Sequence, residues 1–230
     1  MKINGINISS FKAELNGRTI TENTVTQNLS FNAVMSLVSH SGQELGAKSI
    51  ALEFIIYCDS EDDFFYIKSQ MIKELKSCTL TFPDITREFK AYLKGADDYT
   101  KLKNGVYRLS VDLEGDYAIG NSCLINKNNV TSIECNNLGV YPAPIIMKIT
   151  CSEATDKIII TGFNDDITIK NLKANTPIII DTANAFIADE SGTNMFKNYD
   201  SWSLPVLPVG TTILNFSTAC NVEINYNELF

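Results

Sequence analysis

The chain has 230 residues, 44% of them hydrophobic and 20% charged, which places it among folded globular proteins and outside the disordered class. Nineteen Lys and Arg against 27 Asp and Glu leave a formal net charge of −8, a balance that argues against a phosphate-binding surface and so against sequence-specific nucleic-acid recognition. No apolar run approaches a membrane span, and Met1-Lys2-Ile3-Asn4-Gly5 has neither the apolar core nor the cleavage site of a secretory signal, so cytosolic synthesis without membrane insertion is expected.

The length suits either one large β domain or two of ordinary size, and two are expected because each half is long enough to bury its own core. Six cysteines, at 58, 78, 123, 135, 151 and 220, form no C-x-x-C pair, and His40 is the only histidine, so the usual zinc patterns are missing. Reduced, buried thiols are expected instead, with Cys58 and Cys151 each continuing an alternating apolar face.

In chain order, Asn4-Gly5 and Asn16-Gly17 are hairpin-type dipeptides, and Ser41-Gly42 is expected to separate two stretches of mixed apolar character. Ile50, Leu52, Phe54, Ile56 and Cys58 then alternate with Ala51, Glu53, Ile55 and Tyr57, the clearest strand of the first half. Its second face carries Ile55 and Tyr57, which predicts cover by a helix or by another subunit; these two residues are the candidate subunit interface.

A helix over about 61–77 follows, with Ser60 as N-cap, Asp63 three residues on, and Phe64, Ile67, Met71, Ile72 and Leu75 on one stripe. Lys68, Lys73 and Lys76 suit its negative end. Glu61-Asp62-Asp63 reads as compensation of the helix dipole, because no EF-hand spacing or glycine follows it.

Leu80-Thr81-Phe82-Pro83-Asp84 is a short strand stopped by a turn, followed by alternating runs through Phe89, Ala91 and Leu93 and through Tyr107, Leu109, Val111 and Leu113. The segments at Asp97-Asp98 and Lys101 to Gly105 between them are expected to form a hairpin loop. Gly115, Gly120, Gly139 and many asparagines mark a composition shift over 114–144, which divides the chain into domains 1–120 and 121–230. Beyond it, brief β-branched runs at Ile145 to Cys151, Lys157 to Thr161, Ile167 to Lys170 and Pro177 to Asp181 have the spacing of a sandwich. Pro205 and Pro208 require an extended connector, Gly210 supplies a turn, and Thr212, Leu214 and Phe216 followed by Val222, Ile224 and Tyr226 predict a closing hairpin.

Leu207-Pro208-Val209-Gly210-Thr211-Thr212-Ile213 resembles the C-terminal signature of phage distal tail proteins, with Thr212 standing where relatives often place Asn. Pro142 to Ile149 is similar to the Pro-rich entry of the family's galectin-like domain, and Ile178-Ile179-Ile180-Asp181 to its hydrophobic-then-Asp strand end. The order strand, lone helix, Leu80-Thr81-Phe82-Pro83-Asp84, hairpin resembles the family's N-terminal half, so the likeness covers nearly the whole chain. It implies a mainly β protein with a minor α part: an N-terminal β-sandwich or barrel-like domain with one α-helix that forms rings, and a C-terminal galectin-like β-sandwich. It further implies a non-enzymatic hub at the distal end of a virion tail, a homo-hexamer around an open channel. Its partners would be the tail tube protein, tail-tip proteins and receptor-binding proteins, with no cofactor.

Motifs for chemistry are missing: there is no G-x-S-x-G, H-E-x-x-H or P-loop, and His40 sits in a loop-like Ser-His-Ser-Gly context. Asp97-Asp98 and Asp165-Asp166 read as turn residues, so no catalytic, metal or cofactor residue is named and a hydrolase has no candidate carboxylate pair. Tyr199 and Trp202 are the candidate partner or glycan contacts. Trp202 is expected to pin its loop to the core or to a neighbouring subunit; the alternative is a carbohydrate-binding adhesion module that stacks these rings on sugars.

Overall fold

Residues 48–57 alternate between buried and outward-facing positions as their sequence pattern predicts, and the first half of the chain is built around them. The computed structural model describes residues 1–21, 25–32, 37–45 and 47–230, with side chains described except for those of residues 22–46, 96, 97 and 116. The chain divides into two compact units, Met1–Ile119 and Gly120–Phe230. Both are mainly β, with a single α-helix among the described residues.

In unit 1, β1 (Lys2–Ile3) and β2 (Ile6–Asn7) are joined by Asn4-Gly5, whose φ values of 51° and 80° are those of a tight hairpin turn. There follow β3 (Ala13–Ile20), β4 (Val25–Asn32), β5 (Leu37–Leu45), β6 (Lys48–Tyr57), helix α1 (Glu61–Leu75), β7 (Ser77–Phe82), β8 (Ile85–Lys103) and β9 (Val106–Asn137). The antiparallel order is β3-β6-β9-β8-β7-β1-β2, while β4 and β5 pair separately.

Three expected turns are strand interior. Asn16-Gly17 lies within β3, where pairing jumps from Leu15↔Phe54 to Gly17↔Glu53: the strand absorbs one residue as a bulge and goes on to pair Arg18 with Leu52. Ser41-Gly42 lies inside β5, paired along its length with β4. Asp97-Asp98 lies inside β8 at an irregularity between Ala96 and Tyr99, and the hairpin turn shrinks to Asn104-Gly105, with Gly105 at φ 74°.

The Gly- and Asn-rich stretch after residue 114 is likewise strand up to Asn137, not linker. Its glycines answer to close neighbours. A Cβ on Gly115 would sit 2.6 Å from the carbonyl oxygen of Lys90, and one on Gly120 would sit 2.6 Å from the ring of Phe230.

The core of unit 1 lies on one face of the sheet, with Ile50, Leu52, Phe54, Ile56, Leu80, Tyr107, Leu109, Val111 and Leu113 all buried. Helix α1 lays Phe64, Ile67, Met71 and Leu75 on that face, and Ser60 caps it as predicted, its Oγ accepting from the backbone N–H of Asp63 at 3.1 Å. This corrects the expectation that the helix covers Ile55 and Tyr57. The apolar stripe of α1 gains most by burying the face that carries Ile50, Leu52, Phe54 and Ile56, whereas the other face of β6 carries Glu53 beside Ala51, Ile55 and Tyr57.

Unit 2 holds the remainder of β9 and β10 (Ala143–Thr150), β11 (Thr155–Thr161), β12 (Ile167–Leu172), β13 (Ile178–Asp181), β14 (Phe186–Asp189), β15 (Val206–Leu207) and β16 (Gly210–Leu229). The predicted closing hairpin is instead the single strand β16, which changes partner along its length. Asn215 and Phe216 pair with β11, and Asn221 to Tyr226 pair with β10. Buried positions at 212, 214, 216, 220, 222, 224 and 226 stay in phase, so no turn is needed between the two runs. The prolines behave as expected: only Val206 and Leu207 between them form β15, pairing with Ala143 and Pro144, and Gly210 takes φ 89°. Strand β14, paired with β13, was not anticipated.

One continuous core fills unit 2, with Ile145, Met147 and Ile149 of β10 meeting Ile158 and Ile160 of β11, Ile178 and Ile180 of β13 and Val222 and Ile224 of β16. All six cysteines are free, five of them buried.

Candidate interaction surfaces

Ile55 and Tyr57 share the outer face of β6. Ile55 is half-buried between its register partners Glu14 and Arg108, and Tyr57 is 45% exposed. The Tyr57 hydroxyl donates to Glu14 Oε2 at 3.2 Å, and that bond together with the carboxylate charge raises the phenol above its usual range. Around them the face is polar. Glu53 accepts from the side-chain amide of Asn16 and lies 3.6 Å from Arg108 Nε. Next to Glu53, Gly17, Thr19, Ala51, Ser110 and Asp112 border a shallow concavity of about 350 Å³.

A second surface on unit 1 escaped the sequence reading. Phe65 and Tyr66 project from the exposed side of α1, and Tyr99 and Leu102 of β8 are exposed with them. Phe65 meets Tyr99 edge-on at 5.6 Å, and Lys68 Nζ lies 5.3 Å from the Tyr99 ring centroid. The run Phe64-Phe65-Tyr66 was the available signal, since a one-sided helix stripe accounts for only one of three successive aromatics.

On unit 2 the structure separates Tyr199 from Trp202. Tyr199 is buried and its hydroxyl donates to the carbonyl of Ser203 at 2.5 Å; burial pushes its phenol up to about 12. Trp202 is fully exposed, so it does not pin the loop to the core of its own unit. Tyr199 and the polar residues of the loop hold it instead.

Those ties run to β12 and to the turn that precedes it. The Asp200 N–H donates to the Thr168 carbonyl at 2.8 Å and the Thr168 N–H to Ser201 Oγ at 3.0 Å; Ser203 Oγ donates to Asp165 Oδ2 at 2.7 Å. Lys170 pairs with Asp200 and holds its carboxyl below the usual range. Asp165-Asp166 form the predicted turn. Beside it, Phe163, Asn164, Asp165, Ile167, Ser203 and Pro205 border a concavity of about 210 Å³.

Among the described residues no cluster of three or more His, Cys, Asp or Glu is placed to hold a metal ion, and no helix is long and apolar enough to cross a membrane. His40 falls on β5 rather than in a loop, and its side chain lies outside the described residues. Burial raises the Cys78 and Cys135 thiols to about 11 and that of Cys220 to about 12, which leaves them poor nucleophiles. Asp63, in the acidic first turn of α1, accepts from Lys12 Nζ at 2.9 Å.

No protein-family model and no curated protein matches the chain. Solved structures do. The Dit protein (gp 19.1) of phage SPP1, described as a paradigm of the hub adsorption apparatus in phages that infect Gram-positive bacteria, aligns with a TM-score of 0.78 at 12% identity, over 99% of this chain and 97% of that one. A chain of the phage p2 baseplate in its activated conformation with Sr aligns with a TM-score of 0.50 at 11% identity, over 96% and 92% of the two chains. The likeness to distal tail proteins read from the sequence therefore holds at the level of the fold, which this chain shares with the SPP1 hub protein over both units.

Proposed function

We propose that the chain is a structural hub at the distal end of a phage tail or tail-like particle, joining the tail tube to the tip or baseplate without catalysing a reaction. The observation that carries this reading is the shared fold with the SPP1 Dit protein over nearly the full length of both chains. In this reading six copies close into a ring through unit 1 around an open channel, and unit 2, a galectin-like sandwich, docks baseplate or receptor-binding proteins. A net charge of −8 suits a conduit, because a wall that bound phosphates would retain passing DNA.

A ring built head to tail needs two different patches on each copy. Unit 1 carries two on opposite sides of its sheet: Ile55 with Tyr57 on the outer face of β6, and Phe65, Tyr66 and Tyr99 on the helix side. Negative-stain imaging and light scattering of the purified chain test the proposal. Rings of six copies with a central hole are expected. A monomer at every concentration that also fails to associate with tube or tip proteins would overturn it.

A further inference from the structure

We propose that the Trp202 loop and the concavity beside it bind one neutral sugar ring of a surface saccharide, a property independent of the hub reading. A lone exposed aromatic means little in itself. What sets Trp202 apart is its mounting: Ser201 and Ser203, on either side, are bonded to Thr168 and Asp165, Asp200 is paired with Lys170, and Tyr199 is anchored below. The indole is thus presented on a turn that is already ordered, so little conformational entropy is lost when a ligand stacks on it.

The adjoining concavity supplies the rest of a sugar site. At about 210 Å³ it is smaller than the roughly 300–1,000 Å³ of drug-sized ligand sites and has room for a single ring. Phe163, Ile167 and Pro205 lie buried behind it, so its exposed lining is Asn164, Asp165 and Ser203, an amide, a carboxylate and a hydroxyl, and the exposed indole of Trp202 is left to supply the apolar face. A pyranose matches that division, stacking a C–H face on the indole while its hydroxyls donate to Asp165 and accept from Asn164.

Charge narrows the class. Asp165, Asp166 and Asp200 surround the loop in a chain of net charge −8, which disfavours saccharides bearing phosphate or carboxylate. A basic peptide is the competing ligand, but it would have to displace Lys170 from Asp200, whereas a sugar hydroxyl needs only a further lone pair on Asp165 beside the bond from Ser203. Neutral hexoses and N-acetylhexosamines fit what is left.

Trp202 is the only tryptophan, so the indole emission of the full-length chain reports this loop alone. The probes are neutral oligosaccharides of glucose, galactose and N-acetylglucosamine, first arrayed and then titrated in solution. At least one should bind the array and give a saturable blue shift in emission. Trp202→Ala should abolish array binding, and Asn164→Ala, which leaves the Ser203–Asp165 tie in place, should weaken it about tenfold. Both variants should keep the wild-type assembly state, which separates this test from that of the hub. The proposal is overturned if no neutral sugar binds, if binding survives Trp202→Ala, or if only a Lys/Arg-rich peptide or an anionic glycan shifts the emission.

Discussion

The ring of Phe64 lies against that of Tyr107, 4.3 Å between centroids and 15° from parallel. Tyr107 is the register partner of Ile56, so this contact lies on the buried face of the sheet that the helix covers. Phe64 is fully buried, and Phe64→Ala should cost about 3–5 kcal/mol through lost contacts and the cavity left behind. Denaturant unfolding measures the loss. Hydrogen exchange should place it in α1 and the first part of β9, and an equal loss of protection across residues 120–230 would contradict the assignment.

Gly162 takes φ 109° directly after β11, and a Cβ there would lie 2.2 Å from the carbonyl oxygen of Ile213. Gly162→Ala therefore forces β11 away from β16 where Thr161 pairs with Asn215, and should destabilise unit 2 by on the order of 3 kcal/mol. Gly192, at φ 81° with nothing within 4 Å, is the control. Gly192→Ala should cost about 1–2 kcal/mol, the left-handed strain alone. Similar midpoints for the two variants in urea unfolding would refute the close-approach argument.

Alternation and capping were legible in the sequence; continuity was not. The Ile50 to Tyr57 strand and the Ser60 cap rest on nearest-neighbour chemistry, which a local pattern records. Strand β16 was divided in two because Ser217 to Ala219 interrupt its apolar run, yet the buried positions on both sides are even-numbered, which a single strand requires. Gly115 and Gly120 read only as part of a composition shift, because the Lys90 backbone and the Phe230 ring that exclude a side chain there are distant in sequence. At the Trp202 loop the residue types drew attention, but only the fold distinguishes the buried Tyr199 from the exposed Trp202.

Lys12 joins the segment before β3 to the start of α1 through Asp63 at 2.9 Å. The hydrogen bond holds the Asp63 carboxyl below its usual 3.8, so its contribution is present above that value and is lost as pH falls through the lowered one. The same bond raises Lys12 above 10.5, so on that side the contribution is present below 10.5 and is lost as pH rises through the raised value. Between those limits the link is intact. Asp63→Asn should flatten both the acid and the alkaline slopes of the thermal midpoint against pH, and unchanged slopes would show that the pair carries no stability.

Ile55 lies between Glu14 and Arg108, and the Tyr57 hydroxyl reaches Glu14. If this face closes the ring, an added carboxylate there meets Glu14 and Glu53 and must be desolvated at the contact, which opposes association far more than folding. Tyr57→Glu removes one exposed hydrogen bond, so protomer stability should change by no more than about 1 kcal/mol. Ile55→Glu gives an independent second disruption on the same face. Both variants should scatter light as folded monomers under conditions where the unaltered chain forms rings, with wild-type circular dichroism. Rings that persist in both variants would remove this face from the subunit contact while leaving the hub assignment standing, whereas an unaltered chain that never assembles would count against the hub itself.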